Sequence, residues 1–106
     1  MRQRYIAVRV ESDQMVEERD FYDAIWASIL RLFGEYGASQ TEFGLVEFNP
    51  KKSQAILRCS HKALDLVKAS TVAVTEIGNG KATVHVLLVS GTLKSLRRKL
   101  LGRRKG

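Results

Sequence analysis

Apolar positions recur with two periods along this chain, and the switches between them mark its elements. Ile6, Val8 and Val10 alternate with Tyr5, Ala7 and Arg9, the period of a strand buried on one side. After a polar stretch from Ser12 to Arg19, Asp20 stands where a helix cap is needed, and Phe21, Ile25, Ile29, Leu32 and Phe33 follow at spacings of three and four. This predicts a long amphipathic helix ending near Gly37. Tyr22, Trp26 and Leu30 add a second ridge, which either widens the core or docks another protein.

Two short segments rich in apolar and β-branched residues, 43–48 and 54–59, flank Asn49, Pro50, Lys51, Lys52 and Ser53 and predict a hairpin. Ser60 is placed to cap a second helix with Leu64, Val67, Thr71 and Val74 on one face, stopped by Gly78, Asn79 and Gly80. Residues 81–90 are nearly all apolar after their start and predict a last strand, central and covered on both faces. The body, residues 1–90, thus reads βαββαβ. Right-handed crossovers then favour an α+β, ferredoxin-like (RRM-like) sandwich: a four-stranded antiparallel sheet with both helices on one face. The other face is left for RNA bases, the C-terminal segment or another chain to cover.

Charge changes this picture at one end. Residues 1–90 hold eleven basic and eleven acidic side chains, whereas 91–106 hold seven Lys or Arg and no acid, so the whole net charge of +7 sits in the last segment. Leu93, Leu96 and Leu100 put a narrow apolar stripe on a third helix there, with Lys94, Arg98 and Lys99 pointing elsewhere and Arg97 at the border. A neutral body carrying a cationic arm is the pattern of a domain that grips a polyanion.

At 106 residues the chain has room for one core, and its 44% apolar content is that of an ordinary globular domain. Cys59 is the only cysteine, so an intrachain disulfide is excluded. No signal-peptide pattern and no apolar run near the ~18 residues of a membrane span is present, so a cytoplasmic protein without a membrane role is expected.

Candidate chemistry is sparse. No glycine-rich phosphate loop, no Cys and His pair at ligand spacing and no nucleophile beside a base occur, so catalysis by the polypeptide is not expected. His61 and His85 read as unconnected surface or structural residues, and Glu17, Glu18, Asp20 and Asp23 as charge suited to a helix start. Cys59 reads as a small buried hydrophobe. The segment from Ser53 to Cys59 lacks the aromatics with which RNA-recognition motifs stack bases, and Tyr5 alone makes no platform.

Four fragments taken together resemble one family: Arg4-Tyr5-Ile6, Leu32-Phe33-Gly34-Glu35-Tyr36-Gly37, Ala55-Ile56-Leu57-Arg58-Cys59, and Ser90-Gly91-Thr92-Leu93-Lys94 followed by Leu96-Arg97. The family is archaeal ribonuclease P protein component 2. The resemblance implies a subunit of the ribonucleoprotein that removes the 5′ leader of precursor tRNA, with Mg2+-dependent chemistry done by the RNA and no cofactor held by the protein. Its implied partners are ribonuclease P RNA, precursor tRNA, ribonuclease P protein component 3 and the other protein subunits.

Carried onto this chain, the family's signature gives Ser90, Gly91 and Thr92 as phosphate contacts at a helix start. Lys94, Arg97, Arg98 and Lys99 would neutralise RNA backbone, with Arg103, Arg104 and Lys105 as a flexible extension. Arg58, Lys51 and Lys52 are further candidates, and Tyr22, Trp26 and Leu30 a protein-docking ridge. A generic RNA chaperone with the same body is the alternative, since it would carry the same arm.

Overall fold

The computed structural model describes residues 2–105, with side chains to residue 102. Five strands and three helices follow in the order β1 (Gln3–Ser12), α1 (Glu18–Ser39), β2 (Gly44–Asn49), β3 (Gln54–Ser60), α2 (Leu64–Val72), β4 (Glu76–Ile77), β5 (Gly80–Ser90) and α3 (Leu93–Lys105), with a 3-10 turn at His61–Ala63. The strands form one antiparallel sheet in the order β2-β3-β1-β5-β4.

Alternation sorts the sheet's side chains onto two layers. Ile6, Val8 and Val10 of β1, Leu57 and Cys59 of β3 and Val84 of β5 face α1 and α2, where Phe21, Ile25, Ile29 and Val67 complete the main core. Ala7, Ile56, Leu87 and Leu88 face the opposite side and meet Leu93, Leu96 and Leu100 of α3. The third helix therefore covers the face that the pattern left open, and Leu96 is wholly buried there.

Several expectations are corrected. The sheet has five strands, not four: the added β4 is a two-residue strand, and Gly78-Asn79 is its hairpin turn to β5. Positive φ of 61° at Gly78 is what that turn requires. The second helix accordingly stops at Val72, so Val74 packs in the core from outside it. The last strand is not central; β1 is, while β5 pairs with β1 along its length and with β4 only at its start.

Neither predicted cap forms. The first helix begins two residues before Asp20, behind Glu17, and Asp20 adds charge to the first turn while lying against Gly78. The Ser60 hydroxyl donates to the Gln40 carbonyl at 3.3 Å and accepts no amide from the turn that follows it. Near the end of α2, Thr71 Oγ1 donates to the Val67 carbonyl at 2.7 Å inside the core. Ser28 Oγ donates to the Ser70 carbonyl at 2.7 Å and ties α1 to α2.

Gly34 interrupts α1 with φ 74° and ψ 175°, an extended left-handed geometry open to glycine and little else. Leu32, Phe33 and Tyr36, on either side of this break, are exposed, so the stripe expected to run on through Leu32 and Phe33 is buried only as far as Ile29. Thr41 closes the end: its hydroxyl donates to the Ala38 carbonyl at 2.7 Å and accepts the Phe43 amide at 3.2 Å.

Candidate nucleic-acid interface

The α3 face of the sheet is built of three cross-strand rows, each two residues further along β1 and β3 and so about 6.6 Å apart, with an extra residue taken up by a bulge in β2 and in β5. Gly44, Arg58, Tyr5 and Ser90 are paired neighbours in the first row. Glu47, Ile56, Ala7 and Leu88 make the second. Asn49, Gln54, Arg9 and His85 make the third. Only the middle row is apolar through its centre, and there Leu96 docks. Thus α3 lies as a strap over one greasy row, with a polar row left beyond it on either side.

The turn into the strap is polar and tightly made. Thr92 Oγ1 accepts the Ser95 amide at 3.1 Å and so caps α3, and the Ser90 hydroxyl accepts the Thr92 amide at 3.5 Å. The Arg4 guanidinium lies across Gly91, within 3.3 Å of where a β-carbon would sit, so Gly91 is where arginine and backbone approach closely. The opening of α3 is therefore flanked by a cation that the sequence reading did not single out.

Leucines at 93, 96 and 100 hold one side of α3 down, which turns Lys94, Arg98 and Lys99 outward, all three exposed. No described acid pairs with these three. Arg97 differs: its guanidinium donates to Glu47 Oε1 at 2.8 Å, bridging α3 to the edge strand β2. Side chains of Arg103, Arg104 and Lys105 lie outside the described residues.

The secondary candidates scatter. Arg58 is exposed in the first row, its guanidinium packed over Gly44, where no side chain stands in the way. Lys51 and Lys52 are exposed in the β2–β3 turn, and the Lys52 amide bonds Asn49 Oδ1 at 3.2 Å. This places the two lysines away from Ser90, Gly91 and Thr92, near the far end of the strap. Tyr22, Trp26 and Leu30 are half-buried on the other side of the protein, where Phe43 stacks on Trp26 at 6.2 Å and meets the tilted ring of Tyr22 at 5.3 Å. Phe43, from the segment entering β2, is thus the neighbour that the extra ridge meets.

Among the described residues no group of three His, Cys, Asp or Glu stands close enough to hold a metal ion. His85 Nε2 lies 3.8 Å from Glu11 Oε1, and His61 is remote from it in the 3-10 turn. Cys59 is buried, and desolvation pushes its thiol up to about 11, against a smaller opposing pull from the Arg4 charge. No described helix is long and apolar enough to cross a membrane.

What sequence reasoning missed is the pairing of Glu47 with Arg97 and the polar third row. Both depend on which strands become neighbours, and Gln54 and Arg9 are unremarkable until register places them side by side.

Comparison with known proteins adds an independent line. Residues 4–101 match the model of the Rpp14/Pop5 family. Ribonuclease P protein component 2 of Pyrococcus furiosus is 36% identical over 94% of this chain and 83% of its own length. The like-named protein of Archaeoglobus fulgidus is 35% identical over 94% of this chain and 89% of its own. A chain in the cryo-EM structure of yeast ribonuclease MRP superposes with a TM-score of 0.71, covering 98% of this chain and 92% of its own at 14% identity, which is a likeness of fold.

Proposed function

The chain belongs to the Rpp14/Pop5 family and is a protein subunit of ribonuclease P, a ribonucleoprotein endoribonuclease that matures tRNA, and we propose that it serves there by laying the cationic side of α3 along the RNA backbone. The single observation carrying this reading is the strap itself. Leu96, fully buried, fixes α3 on the sheet, so Lys94, Arg98 and Lys99 form a preset row of exposed charge. Phosphates crowded around an RNA active site repel one another, and a fixed row of cations offsets that repulsion and lowers the magnesium needed to compact the fold.

In this reading the RNA performs the Mg2+-dependent hydrolysis and the protein holds no cofactor. Ser90, Gly91 and Thr92, at the opening of α3, form the proposed seat of a phosphate, joined by Arg4, and Arg58 extends the contact along the first row. The tail cations Arg103, Arg104 and Lys105 would lengthen the track. Component 3 is the proposed protein partner, with the α1 ridge around Trp26 as its proposed seat, and the cytoplasm the proposed compartment. The body is read as a ferredoxin-like arrangement of β2-β3-β1-β5 to which β4 adds an edge strand.

The test is binding of ribonuclease P RNA and of an unrelated structured RNA across a salt series, for the intact chain and for a Lys94→Ala, Arg98→Ala, Lys99→Ala triple variant. Preference for ribonuclease P RNA, with a salt slope about 2–3 shallower in the variant, is the expected result. Equal affinity for both RNAs would instead mark a generic RNA chaperone, and an unchanged slope would remove α3 from the interface.

A further inference from the structure

Between the C-terminal half of α3 and the sheet lies a groove of about 270 Å³, open on one side, whose floor is Ala7 and Ile56 and whose roof is Leu100 and Leu101. Its inner wall is polar: Glu47, Asn49 and Gln54, with Lys52 and Arg97 at the rim. The volume suits one flat ring system and is small beside ordinary ligand pockets. We propose that this groove holds a single unpaired adenine of the bound RNA.

The wall decides the base. Gln54 is half-buried, and its side-chain amide makes no hydrogen bond to any described residue, so both its donor and its acceptor are free to face a ligand. An amide of this kind pairs in two places with the adenine N6 amino group and N7. Glu47 presents acceptors only; Arg97 occupies Oε1 at 2.8 Å, and the other oxygen faces no described donor. A carboxylate there welcomes an exocyclic amino group and repels the carbonyl that uracil presents at the same position.

The Asn49 acceptor is already used by the Lys52 amide, so what this side chain has left to offer is its amino group, a donor. Aliphatic side chains above and below replace the aromatic platform of other sheet-face binders by sandwiching the ring. Lys52 at the rim is exposed and supplies the charge for the flanking phosphate, while pairing with Arg97 keeps Glu47 from repelling it.

This inference rests on the reading of the chain as an RNA-binding subunit and adds a base-specific contact to an interface otherwise made of backbone charge. It is tested with the intact chain and two short probes of equal length, an oligoadenylate and an oligouridylate, by fluorescence anisotropy at one salt concentration. In parallel, the NMR signals of the Gln54 side-chain amide are followed.

Oligoadenylate is expected to bind about ten-fold more tightly than oligouridylate, the size of one bidentate pair, and to shift the Gln54 amide. Gln54→Ala should erase the preference, and Glu47→Gln should shrink it, since an amide can turn to donate to uracil. Equal affinities, or a preference that survives Gln54→Ala, would overturn the proposal. Measuring ribonuclease P RNA alongside separates the two failures: selective binding of that RNA with no preference between the oligomers sinks only the adenine groove. Loss of RNA selectivity sinks the subunit reading beneath it.

Discussion

The Arg97 guanidinium and the Glu47 carboxylate meet at 2.8 Å although fifty residues separate them, one on α3 and the other on the sheet's edge strand β2. Both side chains are about half exposed, so water screens the pair and its direct worth to the fold is small, about 0–1 kcal/mol. Its larger effect is on what Arg97 is free to do. A cation already facing a carboxylate is a poorer phosphate ligand than Lys94 or Arg98, which have no such partner among the described residues.

Glu47→Ala should therefore leave thermal stability within about 1 kcal/mol of the parent and free Arg97 for a phosphate, while weakening the preference for oligoadenylate. The slope of log affinity against log salt should steepen by about 0.9 as Arg97 takes up a phosphate. A salt series with melting curves on the same samples checks both; an unaltered slope would show that Arg97 stays off the RNA.

Leu96→Ala removes the one side chain of the strap that is fully buried among the described residues. The expected cost is about 2–5 kcal/mol, the usual range for a core Leu→Ala change. It should fall on α3 more than on the body, because Leu96 joins the small cluster beneath the helix and not the main core. Limited trypsin digestion, read at Arg97, Arg98 and Lys99, should accelerate well before the body melts.

How much of this was readable beforehand depends on the range of the cause. The stripe Leu93, Leu96 and Leu100 announces a docked helix because its spacing is local, and alternation in β1 announces its two faces for the same reason. β4 escaped because two residues carry no period, and the apolar run through Val74 imitated a longer helix. Asp20 and Ser60 looked like caps from composition, yet helix starts are set by where neighbouring strands end. The Arg97 partner and the Asn49, Gln54, Arg9, His85 row lie beyond any local pattern, since register alone assembles them.

Glycine substitutions should split by backbone geometry. Gly34 has open space around it but a φ of 74°, so Gly34→Ala meets strain and no clash, at an expected cost of about 1–3 kcal/mol. Gly102 also has open space and sits in α3 without positive φ, so Gly102→Ala should raise helix stability by up to about 1 kcal/mol. Denaturant melts give the first, and hydrogen exchange of α3 amides the second.

Cys59 should resist alkylation at neutral pH until the protein unfolds, because its thiol titrates near 11 in the fold against an ordinary value of 9.0. The raised value has a definite sign for stability. The folded state keeps the proton that the unfolded chain loses, so the contribution is complete below about pH 9 and is lost as pH rises towards 11. Denaturant midpoints from pH 8 to pH 11 should fall more steeply for the parent than for Cys59→Ala.

The strand at the centre of the sheet is the first in the chain, and it pairs Tyr5 with Arg58 on one side and with Ser90 on the other. Neither half of the sheet can zip from a local hairpin through that strand; each must close a long loop first. The only short-range strand pairings, β2 with β3 and β4 with β5, lie at the two margins. Such wiring puts the entropy of loop closure ahead of the reward, so refolding should take milliseconds or longer, with the marginal hairpins and α1 forming early and β1 locking in last.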